Sequence, residues 1–303
     1  MSLDRIPVVL LLAASMAVAL SGGIIKNYFC NRISGGSDDR QVYNGATSLS
    51  AAVILLLWGG ISSVSSFTVV LGIAFGIVTA LQQISCLKAM ERGSWAYTSV
   101  IISLSTLIPA LSGMLFWNER ISWPQIAGLA MMAGCLILSA DYRADRKKLS
   151  FQWLFYCFIT FVCTGLVGVM QKWHQNSDSK SELNAFLIVA FFISFIYSAV
   201  SYALPRRRNS KKNGQSSGSW PTVVLLIGGG VCMAVNNKLN LFLSGVMESA
   251  VFFPIVNGGG LVLTTVAAVI LFRERLTLKQ WIGLSFGVAS VVFFCNPFHG
   301  ASL

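Results

Sequence analysis

The chain has 303 residues, of which 55% are hydrophobic and only 11% charged, with a mean hydropathy of +0.70 and a net charge of +11. Soluble domains carry about a quarter charged residues, and so apolar a chain would expose more hydrophobic surface than a soluble monomer tolerates. Lipid is the solvent that fits. The positive residues cluster in short segments between apolar runs, the way membrane proteins present Lys and Arg to the cytoplasm, so the basic balance is not read as nucleic-acid binding.

Apolar stretches of about 17–25 residues span a bilayer as helices, and the sequence predicts ten. The first, Ile6–Ile25, resembles a signal peptide in its Arg5 and apolar core, but its length and its place in the repeat below predict a retained helix. Tyr43–Ser62 follows. The third, Phe67–Lys88, carries Thr79, Gln82 and Gln83. The fourth, Trp95–Trp117, carries Tyr97, Thr98, Ser99, Ser103, Ser105 and Thr106, and Pro124–Ala140 is the fifth. The charged stretch Asp141–Lys148 joins the halves.

The sixth and seventh are Phe151–Met170 and Leu183–Leu204. A basic, then Gly/Ser-rich surface loop, Pro205–Trp220, precedes the eighth, Pro221–Leu243, which carries Asn236, Asn237, Lys238 and Asn240. The ninth, Ala250–Phe272, carries Phe253, Pro254, Asn257 and three glycines, Gly258, Gly259 and Gly260. Gln280–Cys295 is the tenth. Strands of alternating polarity, the mark of a membrane barrel, are not seen.

A shift of 155 positions aligns the halves. Glu119-Arg120 falls on Glu274-Arg275, Gln125 on Gln280, Gly128-Leu129 on Gly283-Leu284, Gln82 on Asn237 and Gln83 on Lys238. A looser match at 146 places Gly22 and Lys26 on Gly168 and Lys172. Five helices per half is an odd number, so the second copy is predicted inverted across the membrane. Inverted repeats with a site near the bilayer midplane are a transporter arrangement.

The segments Phe116–Gly128 (FWNERISWPQIAG) and Leu271–Gly283 (LFRERLTLKQWIG) resemble the Glu-Arg turns that lead into the fifth and tenth helices of the EamA-like drug/metabolite transporters. Gly22–Lys26 resembles the end of that family's first helix, with Leu20-Ser21 where a Trp is common. The resemblance implies two five-helix repeats, residues 1–145 and 146–303, in one all-α integral membrane domain. It also implies a central cavity lined by the third, fourth, eighth and ninth helices with help from the first and sixth. The superfamily's range of substrates leaves this one unnamed.

Polar groups at membrane depth face the protein interior or a watery cavity. The candidate substrate contacts are therefore Gln82, Gln83, Tyr97, Ser99, Ser103, Asn236, Asn237, Asn240, Phe253 and Asn257. Pro254 removes a backbone donor and, with Gly258 and Gly259, marks a hinge. Lys26, Lys172 and Lys238 are candidates for anion or gating contacts; for Lys26 and Lys172, at helix ends, snorkelling to the interface is the favoured alternative. His174 is expected at the interface, and Glu119 and Glu274 beside Arg120, Arg275 or helix ends.

None of the 11 acidic residues falls in mid-span. A cation/proton antiporter needs a buried carboxylate, so a neutral, zwitterionic or anionic substrate is expected. The seven cysteines form no CxxC pair, which predicts neither a disulfide framework nor a metal site. No nucleotide-binding loop or catalytic motif occurs, so neither an enzyme nor a cofactor is expected. The expected function is secondary transport of a small polar metabolite, with a coupling ion or counter-substrate left open. The alternatives are a multidrug or cation exporter of the same fold and a lipid-scrambling or structural protein.

The expected location is the plasma membrane. Setting aside Lys26, Lys172 and Lys238, 16 of the 22 basic residues fall on the side opposite the termini and three on the terminal side. The positive-inside rule then puts both termini outside the cytoplasm, whereas members of the resembling family are usually drawn with both inside. A reporter fused after Leu303 is expected to be active only outside the cytoplasm; cytoplasmic activity would reverse the orientation.

Overall fold

The computed structural model describes residues 7–34, 37–61, 63–92, 104–119, 150–204, 220–272 and 278–295, with single positions between 98 and 138. No strand occurs among them. In chain order the helices are α1 (Val8–Arg32), α2 (Ser37–Gly59), α3 (Ser66–Arg92), α4 (Leu107–Trp117), α5 (Phe151–Gln175), α6 (Leu183–Ala203), α7 (Trp220–Val246), α8 (Ser249–Phe272) and α9 (Leu278–Cys295). Short 3₁₀ turns, Leu104–Thr106 and Lys180–Glu182, precede α4 and α6. Helices satisfy their own backbone groups, which a lipid solvent requires.

Among the described residues, six helices are long and apolar enough to cross a membrane. The fifth predicted segment is described only at scattered positions, and the linker 141–149 and loop 205–219 lie outside the described residues. The protein is an all-helical, multi-pass membrane protein. Its outer surface fits lipid: Leu57 is 82% exposed, Leu115 79% and Phe151 84%.

Several helices outrun their apolar segments. α1 continues past Ile25 to Arg32, and α5 past Met170 to Gln175. A helix needs internal hydrogen bonds rather than apolar side chains, and basic residues in a last turn suit the negative end of its dipole. Lys172 and His174 are thereby carried inside a helix.

Side-chain contacts set the directions. Ser15 meets Asn240, Gly22 faces Cys232 and Ile25 faces Gly228, so α1 and α7 are antiparallel. Thr68 meets His174 and Gln82 meets Thr164, so α3 and α5 are antiparallel. The start of α1 therefore lies at one end of the bundle with the ends of α2, α5 and α7. The ends of α1 and α3 lie at the other.

Close approach rests on small residues, as between membrane helices generally. A Cβ on Gly76 would lie 2.3 Å from the Ala190 carbonyl oxygen, and one on Gly230 would lie 2.4 Å from Ser50 Cβ. These contacts seat a core of Leu55, Phe75, Phe186, Phe191 and Leu241 from α2, α3, α6 and α7. Beside it Asn44 donates to Ser198 at 2.7 Å and to Ser194 at 3.2 Å, and Ser48 meets Ser194 at 2.9 Å. Such interhelical bonds contribute about 0.6–2 kcal/mol each.

Gly76→Ala should therefore drive α3 off α6 and cost about 1–3 kcal/mol through overpacking. Gly228→Ala, whose Cβ would meet Ile25 at an ordinary 3.6 Å, should be nearly neutral. Thermal unfolding in detergent checks the difference, and equal melting temperatures would contradict the packing argument.

Candidate functional site

Between α1, α2, α3 and α7 lies a cavity of about 200 Å³. α1 contributes Gly22, Gly23 and Lys26, α2 contributes Tyr43 and Thr47, α3 contributes Gln83, and α7 contributes Cys232, Met233 and Asn236. Lys26 Nζ donates to Gln83 Oε1 across the space. Gln83 Nε2 lies 3.9 Å from Met233 Sδ. Ser15 Oγ lies 2.6 Å from Asn240 Oδ1 and 3.2 Å from Asn236 Oδ1. Asn236 and Asn240 share one face of α7, as their spacing of four requires.

The sequence candidates thus divide. Lys26, Gln83 and Asn236 line the cavity, and Asn240 adjoins it through Ser15. Gln82 turns toward α5 and donates to Thr164 Oγ1 at 3.3 Å. Asn237 accepts from Gln171 Nε2 at 3.3 Å and donates to the Met233 carbonyl at 2.9 Å. Lys238 lies over the Trp58 ring, 4.1 Å from its centre. Phe253 is buried on α8, where a Cβ on Gly168 would come within 2.9 Å of its ring.

Asn257 is half-buried, and Gly258 and Gly259 are buried. Gly259 is narrow enough to admit the Met16 sulfur, which would lie 2.6 Å from a Cβ there. α8 continues through Pro254 as a helix. Tyr97, Ser99 and Ser103 lie outside the described residues. Tyr43, Thr47 and Ser15 are additions the sequence did not single out. The available signal was the polar set Tyr43, Asn44, Thr47 and Ser48, which recurs at helical spacing in the second segment.

Lys172 is the chief departure from expectation. Snorkelling would carry its ammonium to the interface, but the side chain is only 7% exposed and Nζ lies 2.8 Å from Glu119 Oε1. It also donates to the Met247 carbonyl at 2.8 Å. Local geometry aims the carboxylate. Asn118 takes a left-handed conformation (φ 55°) that ends α4, one that Asn tolerates better than most residues. Gly113 leaves room, because a Cβ there would fall 2.2 Å from Glu119 Oε2. The Ser249 backbone N–H, at the start of α8, donates to Oε2 at 2.8 Å, where the helix dipole also favours an anion. Glu119 was expected to meet a helix end, and it does; its cation is Lys172.

His174 is likewise fully buried rather than interfacial. Its ring stacks on Phe186 with centroids 4.4 Å apart, and Nε2 lies 3.4 Å from Thr68 Oγ1. Nearby, Glu182 accepts from Ser65 N–H at 2.9 Å and Ser65 Oγ at 2.8 Å, tying the start of α3 to the turn before α6. Among the described residues, no group of His, Cys, Asp and Glu is arranged to hold a metal ion.

Residues 151–295 match the model of the EamA-like transporter family. The match covers just under half of the chain, its C-terminal part. That family consists of membrane transporters and falls in the drug/metabolite transporter superfamily. A curated protein of Haemophilus influenzae, described as an uncharacterized protein, is 20% identical over 230 residues, covering 74% of this chain and 73% of that one. Among the solved structures that match, a crystal structure of a protein has a TM-score of 0.68 at 11% identity, covering 93% of this chain and 96% of the other. At that identity the likeness concerns the fold.

Glu119→Gln should leave the Lys172 ammonium buried without its carboxylate, which costs about 3–5 kcal/mol. Adding Lys172→Met to that variant should recover most of the loss. Detergent unfolding of the two singles and the double forms the test; a Glu119→Gln protein as stable as the parent would rule out a buried, coupled pair.

Proposed function

We propose that this EamA-domain protein is a secondary transporter of a small polar metabolite, neutral, zwitterionic or anionic, that binds in the cavity around Lys26, Gln83 and Asn236. The observation that carries the reading is the cavity's lining. It offers an ammonium, two amides, the Tyr43 phenol and the Thr47 hydroxyl, and no acidic side chain among its described residues. A lipophilic cation would find no counter-charge there. The volume is below the roughly 300–1,000 Å³ of pockets for drug-sized ligands, which favours a small metabolite over a multidrug substrate.

Alternating access between halves 1–145 and 146–303 is the mechanism we infer. It is supported by the repeat at 155 and by the opposed directions of α1 and α5, the first helices of the two halves. α1 is antiparallel to α7, whereas α5 follows it: Gln171 meets Asn237, and farther along both helices Gln175 faces Gly245. Pro254, Gly258 and Gly259 are the proposed flexing point of α8. Asn237, Asn240, Gln82 and Asn257 are proposed to join the substrate path as the halves move. The distribution of basic residues supports a plasma-membrane orientation with the basic loops in the cytoplasm and both termini outside.

In proteoliposomes the protein should give saturable flux selective among small polar metabolites. Gln83→Ala and Asn236→Ala should each lower the rate about tenfold or more while the protein still folds. Flux that does not saturate, or phospholipid scrambling without metabolite movement, would overturn the transporter reading.

A further inference from the structure

The two halves treat equivalent lysines differently. The offset of 146 pairs Lys26 with Lys172 and Gly22 with Gly168. Each lysine lies one turn beyond a glycine that admits a neighbouring helix. Gly22 faces Cys232 of α7, and Gly168 faces Phe253 of α8. The helix α5 lysine is neutralised by a carboxylate of the protein, Glu119 at 2.8 Å. The α1 lysine has the neutral Gln83 amide as its hydrogen-bond partner and forms no ion pair among the described residues. The nearby acid Glu91 is taken by Arg40 and by Ser34 Oγ at 2.5 Å.

A cation held at membrane depth is costly unless it is paired or reaches water. Lys26 faces a small cavity whose other polar groups include the Gln83 and Asn236 carboxamides, a phenol and a hydroxyl. Amides and hydroxyls complete the hydrogen bonds of a bound anion, while an ammonium supplies the charge. The Glu119–Lys172 pair shows how an anion sits on this kind of lysine inside the bundle: one carboxylate oxygen accepts from Nζ, and the carboxylate's remaining contacts come from the neutral donors of Ser249.

We infer that the substrate is a small organic anion whose carboxylate or phosphate group pairs with Lys26, taking the place that Glu119 takes beside Lys172. This rests on the reading that the cavity is the transport site, and narrows its substrate to the anionic class. Gln83 then holds the Lys26 ammonium toward the cavity when no anion is present and donates its amide N–H to the anion when one is.

The test uses the purified full-length chain, with ligand-induced thermal stabilisation and proteoliposome uptake as readouts. The probes are lactate and malate as carboxylates, glycerol 3-phosphate and inorganic phosphate as phosphates, lactamide and glycerol as neutral counterparts, and choline as a cation. At least one anion should stabilise the protein and be taken up, with its neutral counterpart at least tenfold weaker. Lys26→Met should abolish that preference and Lys26→Arg should keep part of it. The two anion arms distinguish carboxylate from phosphate.

If lactamide or glycerol binds as well as its anionic partner, and Lys26→Met leaves this unchanged while Gln83→Ala abolishes it, the cavity is the site and the anion assignment is wrong. If binding survives both Lys26→Met and Gln83→Ala, the cavity itself is not the site. Stabilisation by choline alone overturns the assignment, as does the absence of response to every anion. Should Lys26→Met fail to fold, Lys26→Gln, which keeps a hydrogen-bonding group toward Gln83, takes its place with the same expected outcomes.

Discussion

A bilayer supplies no hydrogen-bond partner, and much of this architecture follows from that deficit. Backbone groups are satisfied by helices, and side-chain groups must be satisfied by one another or by a cavity. The Glu119–Lys172 pair is the most demanding case. A charge of either sign in that position would be unfavourable alone, and the two together join the end of α4 to α5 and, through Ser249 and Met247, to the turn between α7 and α8. Four helices are held in register at one end of the bundle by a single carboxylate.

Neutral polar groups obey the same rule with smaller energies. Asn44 and two serines join α2 to α6, Gln82 and Thr164 join α3 to α5, and Gln171 and Asn237 join α5 to α7. Each bond crosses from one half of the chain to the other or links elements distant in sequence. The glycines at 76 and 230 bring α3 close to α6 and α7 close to α2. The cavity is where this pairing gives way to a space lined by an ammonium, amides and hydroxyls, and the proposed transport site rests on that lining. A transporter needs such a place, because a fully self-satisfied interior has nothing to offer a passing polar molecule.

Part of the candidate cavity's lining was legible in the sequence. Gln83, Asn236 and Asn240 were chosen because amides in apolar runs must face inward, and that argument holds wherever the bilayer core is the surroundings. The same argument could not say which amides face the cavity and which face a partner. Gln82 and Gln83 are adjacent, so on a helix they point about 100° apart, one to α5 and one to the cavity. The sequence does not single out Tyr43 or Thr47: a Thr hydroxyl in a membrane helix often bonds its own backbone, and Thr47 does so with the Tyr43 carbonyl at 2.7 Å while also lining the space. His174 and Lys172 were misplaced because a polar residue past the end of an apolar run reads as interfacial. Their burial is decided by Phe186 and Glu119, far away in sequence.

The sequence by itself determined the solvent and the helical class, and it carries the offset on which the two-half reading rests. Apolar runs of spanning length have helices as their solution in lipid, and a charged pair recurring at a fixed offset is the ground for the proposed two-half organisation. Which lysine is paired and which faces a cavity was decided only by tertiary structure. Lys26 and Lys172 follow the same local pattern, a glycine and then a lysine one turn later, so nothing local separates them. The difference lies in what the neighbouring helices bring: a carboxylate turned inward by the left-handed Asn118 beside one, and a glutamine amide beside the other.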